Sequence, residues 1–238
     1  MDEQQLQGEY NRWWKGKTIQ GENIDAARRM YRDILKDLRK HHISVVKQQK
    51  ILDVACGTGE FLVEARKLGM DVYGVDLSSY AISFAKKHID GTFLVENGEK
   101  LSFRTNTFDY VTCIGSLEHF PHPEKGILEM ARVLKKDSGC CLIHVPNLMF
   151  LGHIYMTYRY GIMPSEGKQD FSETFYTYQG WKRLLEANGL IVDTTTVIND
   201  MSKTEKVSRF TKFIWQALFR HIAPFHLSYA FNFYCRKK

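Results

Sequence analysis

A chain of 238 residues, 44% hydrophobic and 25% charged, can bury the core of one large domain and has the composition of neither a disordered nor a fibrous polymer. Its opening, MDEQQLQGEYN, is too acidic and polar for a secretory signal or a transit peptide, and no apolar run is long enough to span a bilayer, so the expected location is cytoplasmic. The net charge of +6 is uneven: from Lys203 onward eight Lys and Arg residues face Glu205 alone, a net of +7 that leaves −1 for the rest of the chain.

Along the chain, Ile24, Ala27, Met30, Tyr31, Ile34, Leu35 and Leu38 recur at helical spacing and predict a helix over 23–42. With Tyr10, Trp13 and Trp14 before it, the segment 1–45 reads as an N-terminal helical cap over a ligand cleft. Short β-like and helical runs then alternate. KILDVA leads to a helix over EFLVEARKLG, DVYGVD to one over SYAISFAKKH, and GTFLVE and FDYVTCIG follow as strands. A helix over PEKGILEMARVLK leads into CCLIHVP. This alternation predicts an α/β fold, a parallel sheet with helices on both faces. Continuous apolar runs such as LIHV suit central strands buried on both sides. The insertion 147–177 is long for a loop and is expected to cover the acceptor side of the cleft.

Farther on, SETFYTYQGWKRLLEANGL reads as a helix stopped at Asn188-Gly189, and LIVDTTTVI as a strand. The stretch 204–223 reads as helical, and SYAFNFYCRK as the last strand, approached through Pro224. No repeat, low-complexity tract or Pro/Gly/Ser-rich linker divides the chain, so 1–238 is read as a single domain, with 203–226 as a basic amphipathic helical insertion. Five cysteines (56, 113, 140, 141, 235) form no metal-ligand spacing and are expected to be buried thiols in a reducing compartment.

In such a sheet ligands bind at the carboxyl ends of the strands, with the first βα turn as the cradle. Here that turn lies in ILDVACGTGEF. Gly57 and Gly59 let backbone approach a ligand, but the third-glycine position of a dinucleotide fingerprint is Leu62. Asp76 ends DVYGVD, 19 residues after Gly57, where a carboxylate can accept from both hydroxyls of a ribose. ENGEKLSF sets Asn97, Gly98 and Glu99 after the third strand, where an adenine edge would lie, and FDYVTCIGSLEHF ends the fourth in a polar loop. Each feature alone has an ordinary explanation as a turn glycine, an N-cap or a loop amide. Four in order at consecutive strand ends point to one ligand.

On these residues the chain resembles the class I S-adenosylmethionine-dependent methyltransferases, close to the quinone-biosynthesis and related small-molecule enzymes. The similarity runs from about Lys50 to Asn147 and continues more weakly through Gly189 and the last two strands. LDVACGTG resembles the first family motif, with Ala55 where many members have glycine. VYGVDLS resembles the second, ENGEKLSF the third with Asn97 in place of the usual aspartate, and FDYVTCIGSLEHFPHPEKGILEMARVLK the fourth with its helix. The resemblance implies a Rossmann-like, doubly wound, mostly parallel seven-stranded sheet with a reversed C-terminal strand. It also implies S-adenosyl-L-methionine as cofactor. Asp53 would then steady the loop and reach the methionine ammonium through water, while Ala55, Gly57, Thr58 and Gly59 form the loop against the methionine portion. Asp76 would hold the ribose hydroxyls, Leu77 pack on the adenine, Asn97 and Gly98 meet its edge, and Ile114 and Ser116 lie near the sulfonium. This cofactor has no phosphate, so neither a third glycine nor a loop cation is needed, and neither is present.

Transfer from a sulfonium is an in-line displacement with an activated donor, so aligning the acceptor and excluding water carry much of the catalysis. A hydroxyl acceptor gains from a general base. Glu118 and His119 in SLEHF are the catalytic candidates, His119 because a strand-end imidazole would titrate near working pH. His122, His144 and Glu173 are further candidates, and loop ordering is the structural alternative for Glu118 and His119. Some ubiquinone-type O-methyltransferases carry Glu-x-x-Glu-His here and bind a divalent metal; in Gly115-Ser116-Leu117-Glu118-His119 the first glutamate is missing, and no metal site is expected.

Over 207–222, Val207, Phe210, Phe213, Ile214, Trp215, Ala217, Leu218 and Ile222 form one apolar arc opposite Arg209, Lys212, Gln216 and Arg220. Such a face suits an anionic membrane surface, or packing on the core or acceptor pocket. The expected activity is O-methylation of a small acceptor, lipophilic or linked to lipid or glycan. The alternatives are N- or C-methylation of another small molecule or of RNA, a nicotinamide-dependent oxidoreductase, and a non-catalytic methyltransferase-like binding module. Nucleic acid is the disfavoured partner, because no RNA-binding module or Asn-Pro-Pro-Tyr-type motif accompanies the basic tail. The oligomeric state is left open.

Overall fold

The apolar runs of the sequence become the strands. In the computed structural model, which describes residues 2–19, 30–38, 48–160, 174–198 and 224–238, these are β1 (Lys50–Val54), β2 (Asp71–Asp76), β3 (Thr92–Val95), β4 (Tyr110–Ile114), β5 (Cys140–Pro146), β6 (Leu190–Ile198) and β7 (Ala230–Lys237). They form one sheet in the order β3-β2-β1-β4-β5-β7-β6. The first five strands pair in parallel, and β7 runs antiparallel to both β5 and β6. The helices are α1 (Glu3–Ile19), α2 (30–38), α3 (Glu60–Lys67), α4 (Ser79–His88), α5 (Pro123–Val133), α6 (Leu151–Tyr160) and α7 (Tyr178–Ala187). This is the Rossmann-like, mostly parallel arrangement with a reversed C-terminal strand that the resemblance implied.

Side chains alternate across the strands, yet both faces are buried, so the strands read as unbroken apolar runs. Leu52, Val54, Val111, Ile143, Phe231 and Phe233 pack with Ile127 and Met130 of α5 and Trp181 and Leu185 of α7. On the opposite face Ile51, Tyr110, Leu142 and Tyr234 pack with Ile34, Leu35 and Leu38 of α2, Phe61 and Leu62 of α3, and Ile82 and Ala85 of α4. All five cysteines are buried free thiols.

Element boundaries differ from the sequence reading in ways that capping explains. The helix predicted from 172 begins only at Tyr178, because the Thr177 hydroxyl accepts the Gly180 N–H at 3.2 Å and caps α7 there. Part of the insertion 147–177 is helical as α6; its residues 161–173, with the candidate Glu173, lie outside the described residues. So does nearly all of 203–226, and of the helix predicted over 23–42 only 30–38 is described.

What positions the site is the order of connections. From β1 the chain steps outward to β2 and β3, then crosses back to place β4 on the other side of β1. The carboxyl ends of β1 and β4 therefore flank the point where the winding reverses, the place at which such sheets bind ligands.

Candidate cofactor and acceptor site

The first loop is built by backbone conformations that few side chains tolerate. Ala55 (φ 59°), Gly57 (φ 55°) and Gly59 (φ 84°) are all left-handed, and Gly59 stands at the N-terminus of α3. What Ala55 bears is thus a conformational constraint, which accounts for the glycine that many family members have there. The turn is closed by the Cys56 N–H donating to the Val75 carbonyl at 2.9 Å and the Gly59 N–H to the Cys56 carbonyl at 3.0 Å. Gly57 N–H donates to Asp76 Oδ2 and Ser78 N–H to Asp76 Oδ1, each at 2.8 Å. Asp76 thus joins the glycine loop to the start of α4. Asp53, buried at the end of β1, accepts from the Thr112 hydroxyl of β4 at 2.6 Å. The Thr58 hydroxyl donates to Glu60.

Burial sets the electrostatics. It pushes the Asp53 carboxyl up to about 7, against the lowering effect of the Thr112 bond and with help from the negative charges of Asp76 and Glu60. It pushes Asp76 up to about 6, against the two backbone N–H bonds. Both carboxyls therefore favour a ligand that brings positive charge or hydrogen-bond donors.

The third and fourth strand ends complete the row. Asn97 Oδ1 accepts the Glu99 N–H at 2.9 Å, and its Nδ2 donates to Glu3 of α1 at 3.1 Å. A side chain on Gly98 would meet Phe120 at 2.7 Å and Val54 at 2.8 Å, so this glycine permits close packing beneath the loop. Glu99 accepts the His122 N–H at 2.7 Å and links the third loop to the fourth. After β4, Ile114 and Ser116 lead into a 3-10 turn, Leu117–His119, that carries both catalytic candidates. Glu118 is buried and its carbonyl accepts the Thr174 N–H at 2.8 Å. Burial drives the His119 imidazole down to about 4, so the expected titration near working pH is not found there. His122 instead lies near Glu124 at 3.4 Å, half-exposed at the start of α5.

The chain matches the model of the methyltransferase domain family over residues 52–142. The demethylmenaquinone methyltransferase of Thermotoga maritima is 31% identical over 166 residues, which cover 67% of this chain and 70% of that protein. The chain belongs to the class I S-adenosylmethionine-dependent methyltransferases. The ubiquinone biosynthesis O-methyltransferase of Coxiella burnetii is 29% identical over 161 residues, 61% of this chain and 68% of that one. The magnesium protoporphyrin IX methyltransferase of Synechocystis PCC 6803, solved with bound SAH, shares the fold at a TM-score of 0.70 over 100% of both chains, with 15% identity.

This methyltransferase is S-adenosylmethionine-dependent, and its first two strand ends fit that cofactor. A buried carboxylate, Asp76, stands beside the glycine loop and accepts the N–H of Gly57 from it, and a second, Asp53, stands one strand away. Among the described residues no three His, Cys, Asp or Glu side chains are gathered as metal ligands.

Sequence reasoning missed how α1 engages this row. Glu3 accepts from Asn97, Gln7 Nε2 donates to the Leu77 carbonyl at 2.9 Å, and Asn11 Oδ1 accepts from the Ser78 hydroxyl at 2.8 Å and the Tyr80 N–H at 3.1 Å. Trp14 packs on Gly57 so closely that a side chain there would lie 2.2 Å from its ring. Tyr10 between them is half-buried, and desolvation followed by the charges of Asp76 and Glu118 raises its phenol. The one sign in the sequence is that positions 3, 7, 11 and 14 are spaced to share one helical face, which by itself reads as a solvated one.

Proposed function

We propose that this methyltransferase methylates a hydroxyl of a small, lipophilic, quinol-like acceptor. The observation that carries the reading is the set of polar side chains at the carboxyl ends of β4 and β5, namely Glu118, His119 and His144, which follow or pair in register with Ile114 and Ser116. A hydroxyl must lose its proton as it becomes an ether. The named activities of the relatives, on a demethylmenaquinone and in ubiquinone biosynthesis by O-methylation, support an acceptor of this class.

In this reading Asp76 holds the ribose hydroxyls, Asp53 faces the ammonium end, Leu77 and the Asn97–Gly98 loop border the adenine, and Ala55, Gly57, Thr58 and Gly59 border the methionine portion. Bound S-adenosylmethionine supplies a methyl group on a sulfonium. Ile114 and Ser116 flank the place of transfer, and α1 closes over it to exclude water. Glu118 and His119 orient the acceptor, the imidazole in its neutral form.

The test is product analysis with purified protein, S-adenosylmethionine and two acceptors, a short-chain prenylated catechol and a demethylmenaquinol. A methyl ether on the catechol is expected. Methylation of the naphthoquinol ring carbon with no ether would replace this reading by C-methylation.

The basic segment 203–226 supports a second proposal, that it brings the enzyme to an anionic lipid surface where such an acceptor resides. No helix among the described residues is long and apolar enough to cross a membrane. Changing Phe213 and Trp215 to Ser is expected to reduce co-sedimentation with anionic liposomes; unchanged sedimentation would leave the segment to packing.

A further inference from the structure

Beside the carboxyl ends of β4 and β5 a short piece of backbone is pinned at two points. The Thr174 N–H donates to the Glu118 carbonyl at 2.8 Å, and the Leu148 N–H donates to the Tyr176 carbonyl at 3.1 Å. Residues 174–176 therefore form a strap, tied at one end to the 3-10 turn after β4 and at the other to the segment that leaves β5. Its two rings serve different partners. Tyr176 meets Trp181 of α7 edge-on, with centroids 4.9 Å apart, and packs against the core. Phe175, in the middle of the strap, turns to α6 and meets His153 edge-on at 5.9 Å.

Phe175 is also the end of a row of rings. Tyr229 stands edge-on to Phe150 at 5.2 Å, Phe150 to His153 at 5.2 Å, and His153 to Phe175. The row starts just before β7 and crosses the exit of β5, where the Phe150 N–H donates to the Asn147 carbonyl at 3.1 Å. It ends beside the turn that carries Glu118 and His119. Phe150 and His153, inside the row, are buried, whereas Phe175 at its end is half-buried. A half-buried phenyl ring held next to that turn offers apolar surface to one more neighbour. Aromatic rings favour the edge-to-face and offset contacts that the row already shows.

We propose that Phe175 binds the ring of the acceptor, as the next member of this row, and so selects an aromatic hydroxyl over a saturated one of similar size. The inference rests on the quinol-like acceptor proposed above. Backbone bonds hold the strap at both ends, so the phenyl ring is in place before the acceptor arrives and little ordering remains for binding to do. Phe175 is a specificity residue and takes no part in removing the proton.

The experiment is calorimetry on the full-length protein saturated with the demethylated cofactor, so that no turnover is needed. The two probes are the short-chain prenylated catechol and the matching prenylated cyclohexanediol, which carries the same chain and hydroxyls on a saturated ring. Phe175→Leu keeps an apolar side chain but loses the ring. It is expected to weaken binding of the catechol about 10-fold and of the diol less than about twofold, while Phe175→Tyr keeps both within about twofold of the parent. Equal losses on the two probes, or no loss on the catechol, would overturn the proposal. Affinity for the demethylated cofactor is expected to stay unchanged in each variant; a parallel loss there would assign Phe175 a structural role and overturn it as well. Product analysis separates this inference from the reading on which it rests. A catechol affinity that falls in Phe175→Leu as expected, in an enzyme that forms no ether, would remove O-methylation and still support the ring contact. A parent that binds neither probe would overturn both. Should Phe175→Leu fail to fold, Phe175→Ile carries the same comparison.

Discussion

Asp76 accepts the N–H groups of Gly57 and Ser78 at 2.8 Å, one on each oxygen, and so organises the first two loops before any ligand arrives. Each carboxylate oxygen keeps a second lone pair, enough for two ribose hydroxyls. Hydrogen bonds to a charged group are worth about 1.5–3 kcal/mol each, so Asp76→Ala is expected to weaken binding of the demethylated cofactor at least about 100-fold. Calorimetry measures this, and equal affinity in variant and parent would remove the ribose assignment. Ala55 invites the opposite kind of change. Its φ of 59° places a Cβ in the left-handed region, where glycine is favoured by about 1 kcal/mol. Ala55→Gly is therefore expected to stabilise the protein and raise Tm by about 2–4 °C in a thermal melt. A lowered Tm would mean that the loop does not hold this conformation in solution.

Among the elements, α1 is the one whose part depends most on tertiary placement. Its contacts with Asn97, Leu77, Ser78, Tyr80 and Gly57 span the ends of β1, β2 and β3, so it is positioned to slow ligand exit. Trp14→Ala is expected to speed dissociation of the demethylated cofactor about 10-fold, the equivalent of losing part of one buried aromatic contact. Stopped-flow fluorescence measures it, and an unchanged rate would limit α1 to structure. The strands and the four strand-end loops were legible in the sequence, because buried parallel strands write themselves as apolar runs and their ends must carry the polar residues. The grip of α1 was not, since Glu3, Gln7 and Asn11 look like a solvated helix face until the loops they touch are in place. Nor was the pairing of His144 with Asn232, 88 residues apart, because it exists only through the β5–β7 register. His119 was found at the right strand end but misjudged in charge, since burial is set by the surrounding packing and not by its neighbours in the chain.

At the scale of the whole molecule, the buried acids couple folding, ligand binding and pH. Asp53 and Asp76 rise from the ordinary 3.8 to about 7 and about 6 in the folded protein. Between those values the native state binds more protons than the unfolded chain, so their contribution to stability falls as pH rises from about 4 to about 7. His119 acts in the other direction. Lowered from 6.5 to about 4, it lets the unfolded chain bind the extra proton, and its contribution to stability rises with pH across that interval. The melting temperature of the ligand-free protein therefore sums opposing trends, and its pH profile alone identifies none of these groups. The shift in melting temperature on saturation with the demethylated cofactor separates them. An ammonium facing Asp53 and hydroxyls donating to Asp76 both favour the ionised carboxyls, so binding releases protons and tightens as pH rises through about 6 to 7. His119 cancels from this difference so long as the ligand does not touch it. The ligand-induced shift is expected to grow between about pH 5 and pH 8, and in Asp53→Asn to lose the part of that growth nearest pH 7. A shift that stays constant over the same range would separate both carboxyls from the ligand, and with them the assignment of the first two strand ends.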